Sequence, residues 1–80
     1  MNILIFGCGS IGTHHAHAAR SLGFNVFITD IKKNQIDYMK EKLYPSRYGK
    51  WDNKIVCLKY ENVFSNKKVY ETFKIKVETL

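Results

Sequence analysis

Residues 2–30 read NILIFGCGSIGTHHAHAARSLGFNVFITD. The stretch opens on an apolar run, Asn2 to Phe6, followed by Gly7-Cys8-Gly9-Ser10-Ile11-Gly12. A helix-forming segment comes next, and a second apolar run from Phe24 to Thr29 ends at Asp30. A Gly-x-Gly-x-x-Gly hexad alone is a weak signal. Set between a strand and a helix, with an acid at the tip of the following strand, it reads as a dinucleotide-binding fingerprint.

Each element of the fingerprint has a physical role. Gly7 permits the tight turn out of the strand. Gly9 has no side chain, so a diphosphate can approach the backbone, and Gly12 lets the helix pack closely on the sheet. The helix N-terminus offers N–H groups and a partial positive charge. The N–H groups of Ser10 and Ile11 are the expected diphosphate contacts, and Ser10 can add its hydroxyl. Asp30 follows Gly12 by 18 positions, close to the usual spacing for the acid that accepts the ribose hydroxyls. A carboxylate there would repel a 2′-phosphate. NAD is therefore expected over NADP, although Lys32 and Lys33 could attract a phosphate.

Working outward, Ile3 to Phe6 form a continuous apolar run, as in a parallel strand buried on both faces. The helix predicted over Ser10–Leu22 puts Ile11, His15, Ala18 and Leu22 on one face, and Gly23 stops it. Asn34 is the expected cap of a second helix with an Ile36, Met39, Leu43 stripe, closed by Pro45. Residues 45–53 read as a loop. Its aromatics, Tyr48 and Trp51, either lie over the sheet edge or serve as a partner contact or adenine-side wall. Ile55–Leu58 reads as a third strand and Glu61–Ser65 as a helical turn. Phe73, Ile75, Val77 and Thr79 alternate with polar residues, as in a fourth strand with one wet face.

This order predicts an α/β fold: half a Rossmann fold, with two main helices and a parallel sheet of about four strands in the order 3-2-1-4. Residues 1–80 are expected to form a single, partial dinucleotide-binding domain. A chain this short buries roughly 60% of its unfolded surface, so a fragment, a truncated gene product or a domain leaning on a partner is expected. Exposed apolar sheet surface would favour self-association into a homo-oligomer, through the last strand.

The 13 basic and 7 acidic residues leave a net charge of +6. Only two of the basic residues are arginines, Arg20 and Arg47, so a solvated lysine surface is the expected reading rather than a nucleic-acid interface. No apolar stretch approaches the roughly 20 residues that span a bilayer. Cys8 and Cys57, with no signal peptide ahead of them, point to reduced thiols and a cytoplasmic location. His14 and His17 are three apart on a helix but have no third ligand, so no metal site is expected. His15 shares the Ile11 and Leu22 face and reads as a packed core histidine. No Ser/His/Asp or Cys/His set supports a catalytic assignment.

The run Gly7 to Ala16, with Gly23, Val26 and Asp30, resembles the N-terminus of the glucose–fructose oxidoreductase/inositol dehydrogenase family (Gfo/Idh/MocA). His15-Ala16 matches a His-Ala pair frequent there three residues after the third glycine, and the resemblance covers about residues 1–60. It implies the NAD(P)-binding region of a sugar oxidoreductase, whose complete members add a C-terminal α+β substrate domain. The family's Glu-Lys-Pro motif and later catalytic histidine have no counterpart here. Glu41-Lys42-Leu43 lies in the second helix and is not that motif. Where the family has an apolar fourth strand, this chain has Phe73-Lys74-Ile75-Lys76-Val77-Glu78. The chain is therefore expected not to be catalytic alone. A nucleotide-sensing module of the potassium-transport type and a basic interaction protein are the alternatives.

Overall fold

The computed structural model describes residues 1–65, with no account of the side chains of residues 64 and 65. Three strands, β1 (Asn2–Phe6), β2 (Asn25–Thr29) and β3 (Val56–Cys57), form a parallel sheet with β2 in the centre. The expected order of the first three strands, 3-2-1, is therefore present. The fourth, at residues 73–79, lies outside the described residues. Register pairs Ile3 with Val26, Ile5 with Ile28 and Ile28 with Cys57. Because successive side chains alternate, these residues share one face of the sheet.

That face carries the core. Helix α1 (Ser10–Ser21) and the segment from α2 (Lys33–Tyr38) to α3 (Tyr44–Tyr48) cover it. Val26, Ile28, Cys8, Ala16, Ala19, Met39, Tyr44 and Ile55 form the buried cluster, with Ile3, Ile5 and Ile36 packed around it. Burying an aliphatic side chain contributes roughly 1.5–3 kcal/mol, so these few residues dominate the stability of a small sheet. The last helix among the described residues, α4 (Tyr60–Ser65), follows β3 and buries Val63.

The packed face of α1 is not the expected one. Ile11 and Leu22 are 74% and 72% exposed, and His15 is exposed with them, not a core histidine. Thr13, Ala16 and Ala19 are buried instead. Gly12, Ala16 and Ala19 recur at i, i+4 and i+7, giving a seam of small residues along which the helix lies close to its strands. Close approach, rather than side-chain size, selected the buried face. The helix ends as expected. Gly23 has φ +84°, its N–H donates to Arg20 O and that of Phe24 to Ala19 O, which together make a Schellman motif.

Two further expectations need correction. The apolar run of β1 is not buried on both faces: Ile3, Leu4 and Ile5 are half-buried and Phe6 is 54% exposed. Among the described strands β1 is at the edge, and Leu4 and Phe6 alternate to the face opposite α1. The second helix neither begins with an Asn34 cap nor ends at Pro45. Lys32 is its cap residue, without a side-chain bond, and the helical path runs on through a π-helical turn, Met39–Leu43, into α3. Proline is tolerated at the start of a helix because it lacks only an N–H that would go unused there. The wide turn ends just before Pro45, so the proline enters α3 in its first turn.

α3 is therefore helix where a loop was expected, and its aromatics grip α1. Tyr48 stacks on His17 with centroids 4.0 Å apart and planes 9° from parallel. Its hydroxyl lies 2.8 Å from His14 Nδ1, and that of Tyr44 lies 3.1 Å from His17 Nδ1. Trp51 packs edge-on against Tyr44 at 4.9 Å. Tyr48 thus packs on α1 rather than over the sheet edge, and Trp51 packs on Tyr44. On the same side, Arg20 pairs with Asp52 at 3.2 Å and donates to Phe24 O at 2.7 Å.

Candidate functional site: the glycine loop and Asp30

The C-terminal ends of β1 and β2 set the geometry. Gly7 N–H extends the ladder to Thr29 O at 2.8 Å, and Gly7 then turns with φ +112°, a left-handed value that favours glycine. Cys8 follows, fully buried, and its N–H donates to Asp30 Oδ2 at 2.9 Å. The glycine loop and the acid at the next strand tip, separate in sequence, are thereby joined directly. Asp30 Oδ1 accepts the N–H of Lys32 at 2.9 Å, an Asx-type turn that starts the path into α2. Gln35 Nε2 donates to Cys8 O at 3.0 Å and closes the loop from the other side.

Gly9 is the extended cap residue of α1. The first helical bond runs from Thr13 N–H to Gly9 O at 2.9 Å, and Thr13 Oγ1 donates to the same carbonyl at 2.7 Å. The N–H groups of Ser10, Ile11 and Gly12 come before that bond, where an α-helix has no internal acceptor to offer. No acid lies in this first turn, and Gly9, Ser10 and Ile11 are exposed. The turn therefore presents N–H groups and the positive helix end to solvent, an arrangement that attracts anions.

Gly12 is held for a different reason. A Cβ built on it would stand 1.8 Å from Gly7 O. The helix start lies so close to the strand end that only a hydrogen fits between them. A Cβ on Gly9, by contrast, would meet nothing within 4 Å. Gly9 leaves open the space above the loop.

Three neighbouring hollows lie along the sheet's C-terminal edge and together are called the groove. One lies against Gly7, Gly9, Ser10 and Ile11, the next against Phe6, Gly7, Asp30 and Ile31, and the last between Asp30, Lys33, Lys59 and Tyr60. Neighbouring hollows share residues, Phe6 and Gly7 first, then Asp30, Ile31 and Tyr60. All six residues singled out in the sequence, Gly7, Gly9, Ser10, Ile11, Gly12 and Asp30, line this groove or its turn. An ionised carboxylate has about four acceptor positions, and Asp30 commits two to backbone N–H groups, leaving capacity for a diol. Tyr48 and Trp51 do not line the hollow beside Asp30; Ile31 and Tyr60 do.

Sequence reasoning missed Gln35 and Arg47. Arg47 Nη1, from α3, donates to Ser10 Oγ. The 37 positions between them leave no local signal. Gln35 follows Asp30 by five positions, but its bond to Cys8 O depends on how α2 docks.

The surroundings of Cys8 disfavour its thiolate, the nucleophilic form. Burial, then the Asp30 carboxylate and then Cys57, push its thiol from 9.0 up to about 12. Burial also raises Cys57. In the native protein at pH 8, iodoacetamide should label Cys8 on the order of a thousandfold more slowly than free cysteine. Native labelling as fast as in urea would contradict this. The linkage has a definite sign. The folded chain keeps a proton that the unfolded chain releases near pH 9, so Cys8 supports stability below pH 9 and loses that support as pH rises towards about 12.

Among the described residues, no three His, Cys, Asp or Glu side chains are grouped to hold a metal ion. His14 and His17 bond to tyrosines instead. No helix among the described residues is long and apolar enough to cross a membrane. Comparison with protein-family models, curated proteins and solved structures finds no match for the chain.

Proposed function

We propose that the chain binds NAD through half a Rossmann fold, as the N-terminal region of a Gfo/Idh/MocA-type sugar oxidoreductase does. One observation carries the reading: the Asp30 carboxylate is tied to the Cys8 N–H, directly beside the exposed first turn of α1. This puts a diol acceptor and an anion-attracting helix end next to one another, as binding an adenosine diphosphate requires. Gly7, Gly9, Gly12 and the N–H groups of Ser10 and Ile11 serve the diphosphate, and Asp30 serves the adenosine ribose. The fixed negative charge of Asp30 favours NAD over NADP, with Lys33 at the rim as the opposing influence. His15-Ala16 supports the family assignment. Hydride transfer needs an acid/base group held against the nicotinamide, and the chain contributes the adenosine and diphosphate side of the cofactor.

Calorimetric titration tests the reading. NADH, NAD and ADP-ribose should each bind saturably with one site per chain. No heat from any of the three would remove the proposal.

A further inference from the structure

We infer that Arg47, which reaches the groove only through its bond to Ser10, is a phosphate-binding residue for a ligand there and that its ligand class is a nucleoside diphosphate; the inference rests on the dinucleotide reading above. Three observations converge. The Arg47 guanidinium donates through Nη1 to the hydroxyl of Ser10, the first helical residue of α1. It pairs with no carboxylate among the described residues, where Asp52 is taken by Arg20. The backbone that carries it is anchored on both flanks: Tyr44 is buried against Trp51, and Tyr48 is stacked on His17 and bonded to His14.

The chemistry follows from that placement. A guanidinium has five N–H donors in a planar fork suited to phosphate oxygens, and Ser10 engages only one group of that fork. Because the Ser10 hydroxyl accepts from Arg47, its own proton is free to point into the groove. No acid stands in the first turn of α1, and the chain has none before Asp30. Arg47 therefore adds a full positive charge where the loop itself supplies only N–H dipoles. Asp30 holds the opposite charge further along the groove, so the two charged groups sort a ligand into a diol end and a diphosphate end. A bare nucleoside would use only one of them.

The test is titration of the full chain with ADP and with NADH at low and moderate salt. Arg47→Gln should weaken both ligands about tenfold, the usual effect of losing a charge-assisted contact, and flatten the salt dependence. Arg47→Lys should keep the salt dependence and recover part of the affinity. Arg47 is exposed, so both variants should retain the wild-type thermal midpoint. Wild-type affinity in Arg47→Gln overturns the inference and leaves the dinucleotide reading intact. So does an equal loss in both variants with an unchanged salt dependence. A wild-type chain that binds neither ADP nor NADH overturns the dinucleotide reading and the inference with it.

Discussion

Replacing Gly12 by alanine should lower the thermal midpoint by about 15 °C or more. The added Cβ would stand 1.8 Å from Gly7 O and 2.9 Å from Gly7 C, far inside contact distance. Both are backbone atoms, so no side chain can swing away. The start of α1 has to lift off the end of β1, which loosens the seam that buries Ala16 and Ala19. Overpacking of this kind costs roughly 1–3 kcal/mol and occasionally more, and a backbone clash belongs at the upper end. At roughly 4–8 °C per kcal/mol for a domain of this size, the midpoint falls by the stated amount. Domains of this length have only about 4–12 kcal/mol in total, so the loss is a large share. Gly9→Ala is the control. Its Cβ meets nothing within 4 Å and its φ is −79°, so it should lose only the cap position's preference for glycine over alanine and melt within a few degrees of the wild type. It should nonetheless weaken ADP, because the methyl group occupies the approach to the loop. Thermal circular dichroism decides the first point: a Gly12→Ala midpoint within a few degrees of wild type would show that the close approach is not required.

The second large effect is expected at Asp30. Alanine there removes both acceptors, leaving the N–H of buried Cys8 and that of Lys32 without this partner. An unsatisfied buried donor costs about 1–3 kcal/mol, so the chain should be measurably less stable. NADH affinity should fall about tenfold or more, since hydrogen bonds to a charged group contribute about 1.5–3 kcal/mol. NADPH should lose less, because the same change removes the charge that opposes its 2′-phosphate. The ratio of the two affinities is the useful reading, as a general loosening of the site would weaken both cofactors alike. Equal losses for NADH and NADPH would undo the ribose assignment. Asp30→Asn should fall between, as one amide oxygen can still accept.

The two experiments separate roles that one motif combines. Gly12 acts through packing and Gly9 leaves space open, whereas Asp30 holds the loop and, in the proposed function, also offers its remaining lone pairs to the ribose. Arg47, whose proposed role is charge and hydrogen bonding to phosphate, comes from another part of the chain.

Local signals carried much of the fold. The apolar run after Met1, the Gly23 stop and the second run to Thr29 place β1, α1 and β2 within a residue or two of their observed bounds. The reasons are short-ranged: a turn with positive φ wants glycine, and a parallel strand wants continuous apolar residues. The Ile36, Met39, Leu43 stripe likewise found its buried side, with Met39 fully enclosed. Periodicity failed where two faces of a helix competed. On α1 the larger residues, Ile11 and Leu22, outrank the alanines on any hydrophobic scale, yet the alanines are the ones buried. Hydrophobicity measures what a residue gains from burial, whereas helix-to-strand distance decides which residues fit. Pro45 misled for a related reason: a π-helical turn just ahead of it let the helical path continue, and only docking on α1 shows what that continuation positions.

By itself the sequence determined the parallel α/β succession, the glycine turn and the acid at the tip of β2, because each depends on neighbours a few positions away. Tertiary structure alone decided that Cys8 N–H meets Asp30, that α3 clamps α1 through His14 and His17, and that Arg47 reaches Ser10. Those contacts join residues 22 to 37 positions apart. They follow from how the helices dock on the sheet, which short-range spacing does not encode.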